Sequence, residues 1–170
     1  MDFYELTKAR YSVRKFADKP VEEEKLRKVL EAGATAPTAK NQQPQRIYVL
    51  ESKEAIEKIR GITRCAFDAP VVLLVCGNKE TAWTNPFNNR NSAEMDCSIV
   101  TTQMMLQAQE LGLGTCWVCW FDTDLTKQTF GIPENEEVYA LLPLGYPAES
   151  SKPSGMHDSR KELTETVVRV

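Results

Sequence analysis

The run "APVVLLVCG", residues 69–77, constrains this chain more than any other stretch. A strand with one wet face alternates apolar and polar side chains, whereas this one is apolar on both faces. It therefore belongs inside a sheet that is covered on both sides. It is too short to cross a bilayer, so no membrane anchor is expected from it. Three more stretches read as strands: "RIYVLE" (46–51), "GTCWVCWF" (114–121) and "EEVYALLPLGYP" (136–147). "TVVRV" (166–170) is a candidate last strand.

Helices supply the cover. "DFYELTKAR" offers Asp2 as an N-cap and Glu5 three residues on. In "VEEEKLRKVLEAGATA", Leu26, Val29, Leu30 and Gly33 recur at helical spacing, and Glu22–Glu24 form a solvated first turn that suits the helix dipole. "SKEAIEKIRG" runs from a Ser52 cap to a Gly61 stop. "SAEMDCSIVTTQMMLQAQELG" starts at Ser92 and ends before Gly112. Its Met95, Ile99, Val100, Leu106 and Leu111 lie all round the helix, which predicts a largely buried element, with Met104 and Met105 as core or interface. "DLTKQTFGIP" is a short helix stopped by Gly131 and Pro133, with Asp122 and Asp124 as helix-cap residues. Helices and strands thus mix around a sheet of about four or five strands. The polar stretch 78–91 reads as a loop whose Trp83 and Phe87 either gate a pocket or anchor to the core.

The chain has 170 residues, enough for one domain with a real core. Its formal net charge of −3 argues against a general nucleic-acid surface, so any basic site must be local. The N-terminus lacks a basic start followed by an apolar run, and the five cysteines form no disulfide framework. A cytoplasmic location is expected.

Several chemistries fail on geometry. Cys116 and Cys119 form C-x-x-C, but in a strand they face opposite sides about 10 Å apart, beyond the roughly 7 Å a disulfide allows. The single histidine, His157, sits in a polar tail, and neither a second C-x-x-C nor G-x-S-x-G is present. "GLG" (112–114) follows a helix and precedes a strand, the reverse of a dinucleotide fingerprint, and reads as a helix cap. No metal site is expected.

"RYSVRKF" (10–16) passes this filter. If the segment is extended after Arg10, then Arg10, Ser12 and Arg14 point to one side. Two guanidinium forks flanking a hydroxyl match the acceptors of a phosphate; a solvated surface cluster is the alternative.

With "RYSVRKF" followed by "APTAKNQQPQ", the chain resembles the FMN-dependent nitroreductase family. That family opens with R-x-S-x-R/K. Its P-S-x-x-N-x-Q-P loop is matched by Pro37, Thr38, Asn41, Gln43 and Pro44. "GLGTCWVCWFD" and "LPLGYPAE" resemble its later blocks, in family order. The resemblance implies an α+β, three-layer α/β/α fold with a central mixed, mostly antiparallel sheet. It implies one domain over 1–170 and an intertwined homodimer, with 147–170 wrapping the partner. Arg10, Tyr11, Ser12 and Arg14 would hold FMN, chiefly by its phosphate; Arg160 would reach the same phosphate, with Lys161 a weaker candidate. Pro37, Thr38, Ala39, Lys40 and Asn41 would line the flavin from the other subunit. Trp117, Cys119 and Trp120 would lie beside the isoalloxazine, where a backbone N–H meets the N5 edge. No catalytic side chain is implied, because FMN carries the chemistry.

The implied reaction is ping-pong hydride transfer from NADH or NADPH through FMN to a nitroaromatic or quinone. Flavin-dependent dehydrogenation, dehalogenation or flavin fragmentation on the same fold, a non-catalytic nucleotide binder and a Cys116/Cys119 dithiol module are the alternatives. The chain departs from the family pattern at Thr38 (usually serine), Gln45 (often tryptophan), and Cys119 and Trp120 (often small). The last two leave pocket size open.

Overall fold

A computed structural model describes residues 2–170. Strand β1 (Gln45–Leu50) pairs with β2 (Val71–Asn78), β2 with β4 (Glu136–Gly145), and β4 with the short β3 (Gly114–Thr115). All three pairings are antiparallel. The three ladders are thus antiparallel where a mixed, mostly antiparallel sheet was expected; among the described residues the parallel component is a single bridge, Ser12 to Thr115.

The apolar run is the second strand in the order and is covered on both faces. Val71, Leu73 and Val75 pack with Leu26 and Val29 of α2 (Glu23–Ala34) and with Val100 and Met104 of α4 (Ala93–Glu110). Val72, Leu74 and Cys76 face the other way, onto Ile56 and Ile59 of α3 (Lys53–Ile62) and onto Ile132 beyond α5 (Thr123–Phe130). The two-residue period of one strand therefore produces three layers. A bulge between Val75 and Cys76 leaves Tyr139 outside the β2–β4 pairing.

Local chemistry sets the helix ends. Asp2 accepts from the Glu5 N–H at the start of α1 (Phe3–Ala9), Ser52 caps α3, and Asp122 accepts from the Leu125 N–H to start α5. Gly112 (φ 75) and Gly131 (φ 64) take left-handed backbone just beyond α4 and α5. α3 runs through Gly61, which faces open space, to Ile62.

Other expectations are corrected. "GTCWVCWF" is a strand only at Gly114–Thr115, followed by one bridge from Val118 to Leu141. The reason is Pro143: it accepts from the Cys116 N–H at 3.3 Å, but without an N–H of its own it cannot return the bond. "TVVRV" is not a strand; its first residue ends a short helix α6 (Leu163–Thr166), and Val167, Val168 and Val170 are exposed. Ser92 stands at the N-cap of α4, as expected, though its side chain makes no cap bond. α4 is buried along one side only, where Met104 and Met105 join the core, while Met95 and Ile99 are exposed.

Among the described residues, no helix is long and apolar enough to cross a membrane, and no His/Cys/Asp/Glu cluster could hold a metal ion.

Candidate active site

Arg10 ends α1 in extended backbone, and the following residues lie against the edge of the sheet. The Val13 N–H donates to the Thr115 carbonyl at 2.9 Å, and the Val13 side chain is fully buried. With Val13 turned inward, Ser12 and Arg14 are left facing outward. Arg10, Tyr11, Ser12 and Arg14 line one cavity of about 170 Å³, closed on its far side by Ser154, Met156, His157 and Arg160. Arg10, Ser12, Arg14 and Arg160, distant in sequence, are thus brought together around one hollow. Lys161 is exposed and does not line it.

No carboxylate lines this cavity. Among the described residues, none of the three arginines forms an ion pair. Arg14 donates only to the Ser12 carbonyl (3.2 Å), and Arg160 only to the Ser159 carbonyl (2.8 Å). Three uncompensated guanidinium groups around a hydroxyl make a hollow for a compact anion with several acceptor atoms. Drug-sized ligands occupy about 300–1,000 Å³, so the hollow suits an anionic end of a ligand better than a whole nucleotide.

Polar contacts help to hold the tail there. Tyr11 and Ser151 share a hydroxyl–hydroxyl bond of 3.2 Å, and His157 donates from Nε2 to the Lys8 carbonyl at 3.1 Å. Sequence reasoning left His157 in a loose tail; its side chain is largely covered (15% exposed) and forms part of the wall.

Pro37–Asn41 lie elsewhere. After α2 the chain makes a 3₁₀ turn, Ala39–Asn41, with left-handed backbone at Lys40 (φ 52), Asn41 (φ 55) and Gln43 (φ 49). Thr38 steadies it by accepting from the Gln43 N–H at 3.1 Å. The Ala39 N–H donates to Asp96 Oδ1 at 2.9 Å, and Ser92 Oγ donates to Asp96 Oδ2 at 2.7 Å. Asp96 is 2% exposed. This turn therefore sits at the start of α4, while the arginine hollow sits just past its end. An 18-residue helix is about 27 Å long, so in one chain the two sets are far apart.

Sequence reasoning missed Asp96, yet a signal existed. It lies four, eight and twelve residues before Val100, Met104 and Ala108, on the stripe that the core buries. A carboxylate on that stripe needs hydrogen-bond partners.

Trp117, Cys119 and Trp120 follow β3 along β4. The Val118 N–H is taken by the Leu141 carbonyl at 3.0 Å, whereas those of Trp117 and Cys119 have no partner among the described residues. Trp117 Nε1 donates to Cys119 Sγ at 3.2 Å, and the Trp120 carbonyl accepts from Thr63 Oγ1 at 2.6 Å. Trp120 itself is 73% exposed and swings away from the core. Phe87 is exposed and Trp83 half-buried on a loop ordered by Asn85 and Asn88 side-chain bonds.

The dithiol reading meets an unfavourable arrangement: Cys116 is buried and Cys119 exposed. Burial pushes the Cys116 thiol up, and it pushes those of Cys76 and Cys97 up to about 12. Labelling with an aromatic disulfide at pH 8 is expected to modify Cys119 first, and Cys76 and Cys97 only after unfolding. Cys119→Ser should remove the fast phase, read as released thiolate absorbance.

Comparison with known proteins fits this geometry. Residues 7–68 and 63–146 match the Nitroreductase family. The chain belongs to that family. A crystal structure of a nitroreductase family protein from Clostridium difficile 630 superposes with a TM-score of 0.93 at 44% identity, covering 99% of this chain and 98% of that one. A second Clostridium difficile protein, an FMN-dependent nitroreductase from strain R20291, gives a TM-score of 0.78 at 27% identity over 97% of this chain and 98% of its own. A Methanothermobacter thermautotrophicus protein provisionally named NADH dehydrogenase/NAD(P)H nitroreductase is 33% identical, over 88% of this chain and 80% of its own length. This nitroreductase family member therefore carries the α+β fold of its relatives, with an arginine-lined hollow at one end of its central helix.

Proposed function

We propose that the chain is a flavin-dependent oxidoreductase that takes hydride from NADH or NADPH and passes it, through FMN, to an electron-poor acceptor such as a nitroaromatic or a quinone. The observation that carries this reading is the hollow in which Arg10, Ser12, Arg14 and Arg160 converge without a carboxylate. Those residues would take the phosphate of FMN. The donor set fits: three charge-assisted forks and a hydroxyl meet a group that offers only acceptors toward them.

When bound, FMN supplies the hydride chemistry. The protein's residues place it. The unpaired N–H groups of Trp117 and Cys119 form an edge on which the flavin's polar rim could dock. Trp120 is turned outward, so the donor and the acceptor could use one open face in turn, which gives ping-pong kinetics.

The turn Pro37, Thr38, Ala39, Lys40 and Asn41 reaches this site only if it comes from another copy, because in its own chain it lies at the opposite end of α4. This separation supports a homodimer with each site shared. An apolar groove of about 930 Å³, lined by Phe3, Leu6, Met95, Ile99 and Leu106, offers the contact surface beside it.

The test is direct. Purified protein should be yellow or load stoichiometrically with FMN, oxidise NADH or NADPH in the presence of a quinone, and run at twice the monomer mass in light scattering. A colourless protein that takes up no added FMN ends the proposal.

A further inference from the structure

The buried carboxylate at the start of α4 has no part in the phosphate hollow, yet its geometry is specific. Each oxygen of Asp96 has one partner: the Ala39 N–H at 2.9 Å and the Ser92 hydroxyl at 2.7 Å. Ser92 is itself 1% exposed, so its bond to Asp96 lies away from water, while the Ala39 bond is partly buried. The turn they hold is conformationally costly. Lys40, Asn41 and Gln43 all have positive φ, a region that non-glycine residues rarely adopt and hold only where the surroundings enforce it. Within the turn, the side-chain support for this backbone is the Thr38–Gln43 bond and a longer contact of 3.3 Å from Gln43 to the Asn41 carbonyl. Asp96 is the link from the core to the turn's first residue.

We propose that Asp96 is the positioning residue of the 37–43 turn: by clamping the Ala39 amide from within the core, it holds the left-handed backbone in the shape presented to the flavin of the partner copy. Ser92 orients the carboxylate so that Oδ1 faces the amide. This inference rests on the shared flavin site proposed above, but its first readout does not. The left-handed turn would relax once the clamp is lost, and the relaxation is visible without cofactor.

The experiment follows backbone hydrogen exchange of residues 38–43 and FMN affinity in the full-length protein, comparing wild type with Asp96→Ala, Asp96→Asn and Ala39→Pro. Asp96→Ala should speed exchange in the turn by about tenfold or more and weaken FMN by a similar factor, as expected for a lost charge-assisted bond. Asp96→Asn should recover both to within about threefold, since the amide oxygen still accepts from Ala39 while its NH₂ donates to the Ser92 hydroxyl. Ala39→Pro removes the same bond from the other side. Its position opens the 3₁₀ turn, where proline is tolerated, and Thr38 before it is extended (φ −129, ψ 158). It should speed exchange at residues 40–43, and adding Asp96→Ala to it should add little. Should Asp96→Ala not fold, Ala39→Pro carries the same comparison. Unchanged exchange in the turn with either variant overturns the positioning role and leaves the flavin reading intact. Faster exchange in the variants, with a wild type that binds no FMN, would overturn the flavin reading and leave the positioning role intact.

Discussion

Replacing Arg10 and Arg14 together with alanine is expected to weaken FMN binding by at least a hundredfold while barely changing the affinity for riboflavin. A charge-assisted hydrogen bond contributes about 1.5–3 kcal/mol, and about 1.4 kcal/mol is a factor of ten in affinity. Arg14 is exposed and Arg10 only partly covered, so solvent screening places the loss near the lower end of the range. Two such losses still give roughly a hundredfold. Riboflavin has the ring without the phosphate, so its binding isolates the contribution of the ring's own contacts. Fluorescence titration with both ligands reads the split. Equal weakening of both would mean that the arginines serve the ring or the fold; FMN binding as tight as in wild type would remove the hollow from the site altogether.

Gly114→Ala is expected to destabilise the protein by about 1–3 kcal/mol and to weaken FMN along with it. A Cβ on Gly114 would stand 2.8 Å from Val13 Cβ and 3.1 Å from Pro147 Cγ. Val13 has no free space to move into, because it is fully buried. The Val13–Thr115 hydrogen bond ties the same segment to the sheet, so the strain has to move the backbone that carries Ser12 and Arg14. For a chain of this size, about 1 kcal/mol shifts Tm by roughly 2–4 °C. Gly61→Ala is the control. It lies inside α3 with nothing within 4 Å of the added carbon and should leave stability equal or raise it by about 0.5–1 kcal/mol. A thermal melt of both variants checks this. An unperturbed Gly114→Ala would show that the arginine segment is not wedged against the sheet.

What the sequence made legible was local. The alternation of Arg10, Ser12 and Arg14 about a buried Val13 follows from strand geometry and needs no knowledge of the rest of the chain. The doubly apolar run 69–77 carried its own evidence of two covered faces. What it could not carry was pairing. "GTCWVCWF" has the side chains of a strand, but its neighbour presents Pro143, which has no amide to give back, and the ladder ends after two residues. "TVVRV" has the side chains of a strand as well, yet no edge of this chain's sheet receives it. Both readings took propensity for structure where a partner decides the outcome. Asp96 was obscured differently: among the charged residues of a helix's first turn it looks like a dipole-complementing carboxylate, and only its phase with Val100, Met104 and Ala108 marks it as buried. The arginine hollow needed Arg160, about 150 residues away in sequence, and no local pattern reports that closure.

The central helix holds the arginine hollow near one end and the 37–43 turn at the other. In the dimer proposed above, neither polypeptide owns a complete catalytic centre; each lends its front end to one and its back end to the other. Inherited damage is then parcelled out by centre and not by chain: a fault at the arginine end of a copy spoils one centre, a fault at its Asp96 end spoils the opposite one, so a pair of identically faulty copies keeps no whole centre, whereas a mixed pair with one fault of each kind gathers both in one centre and keeps the other whole.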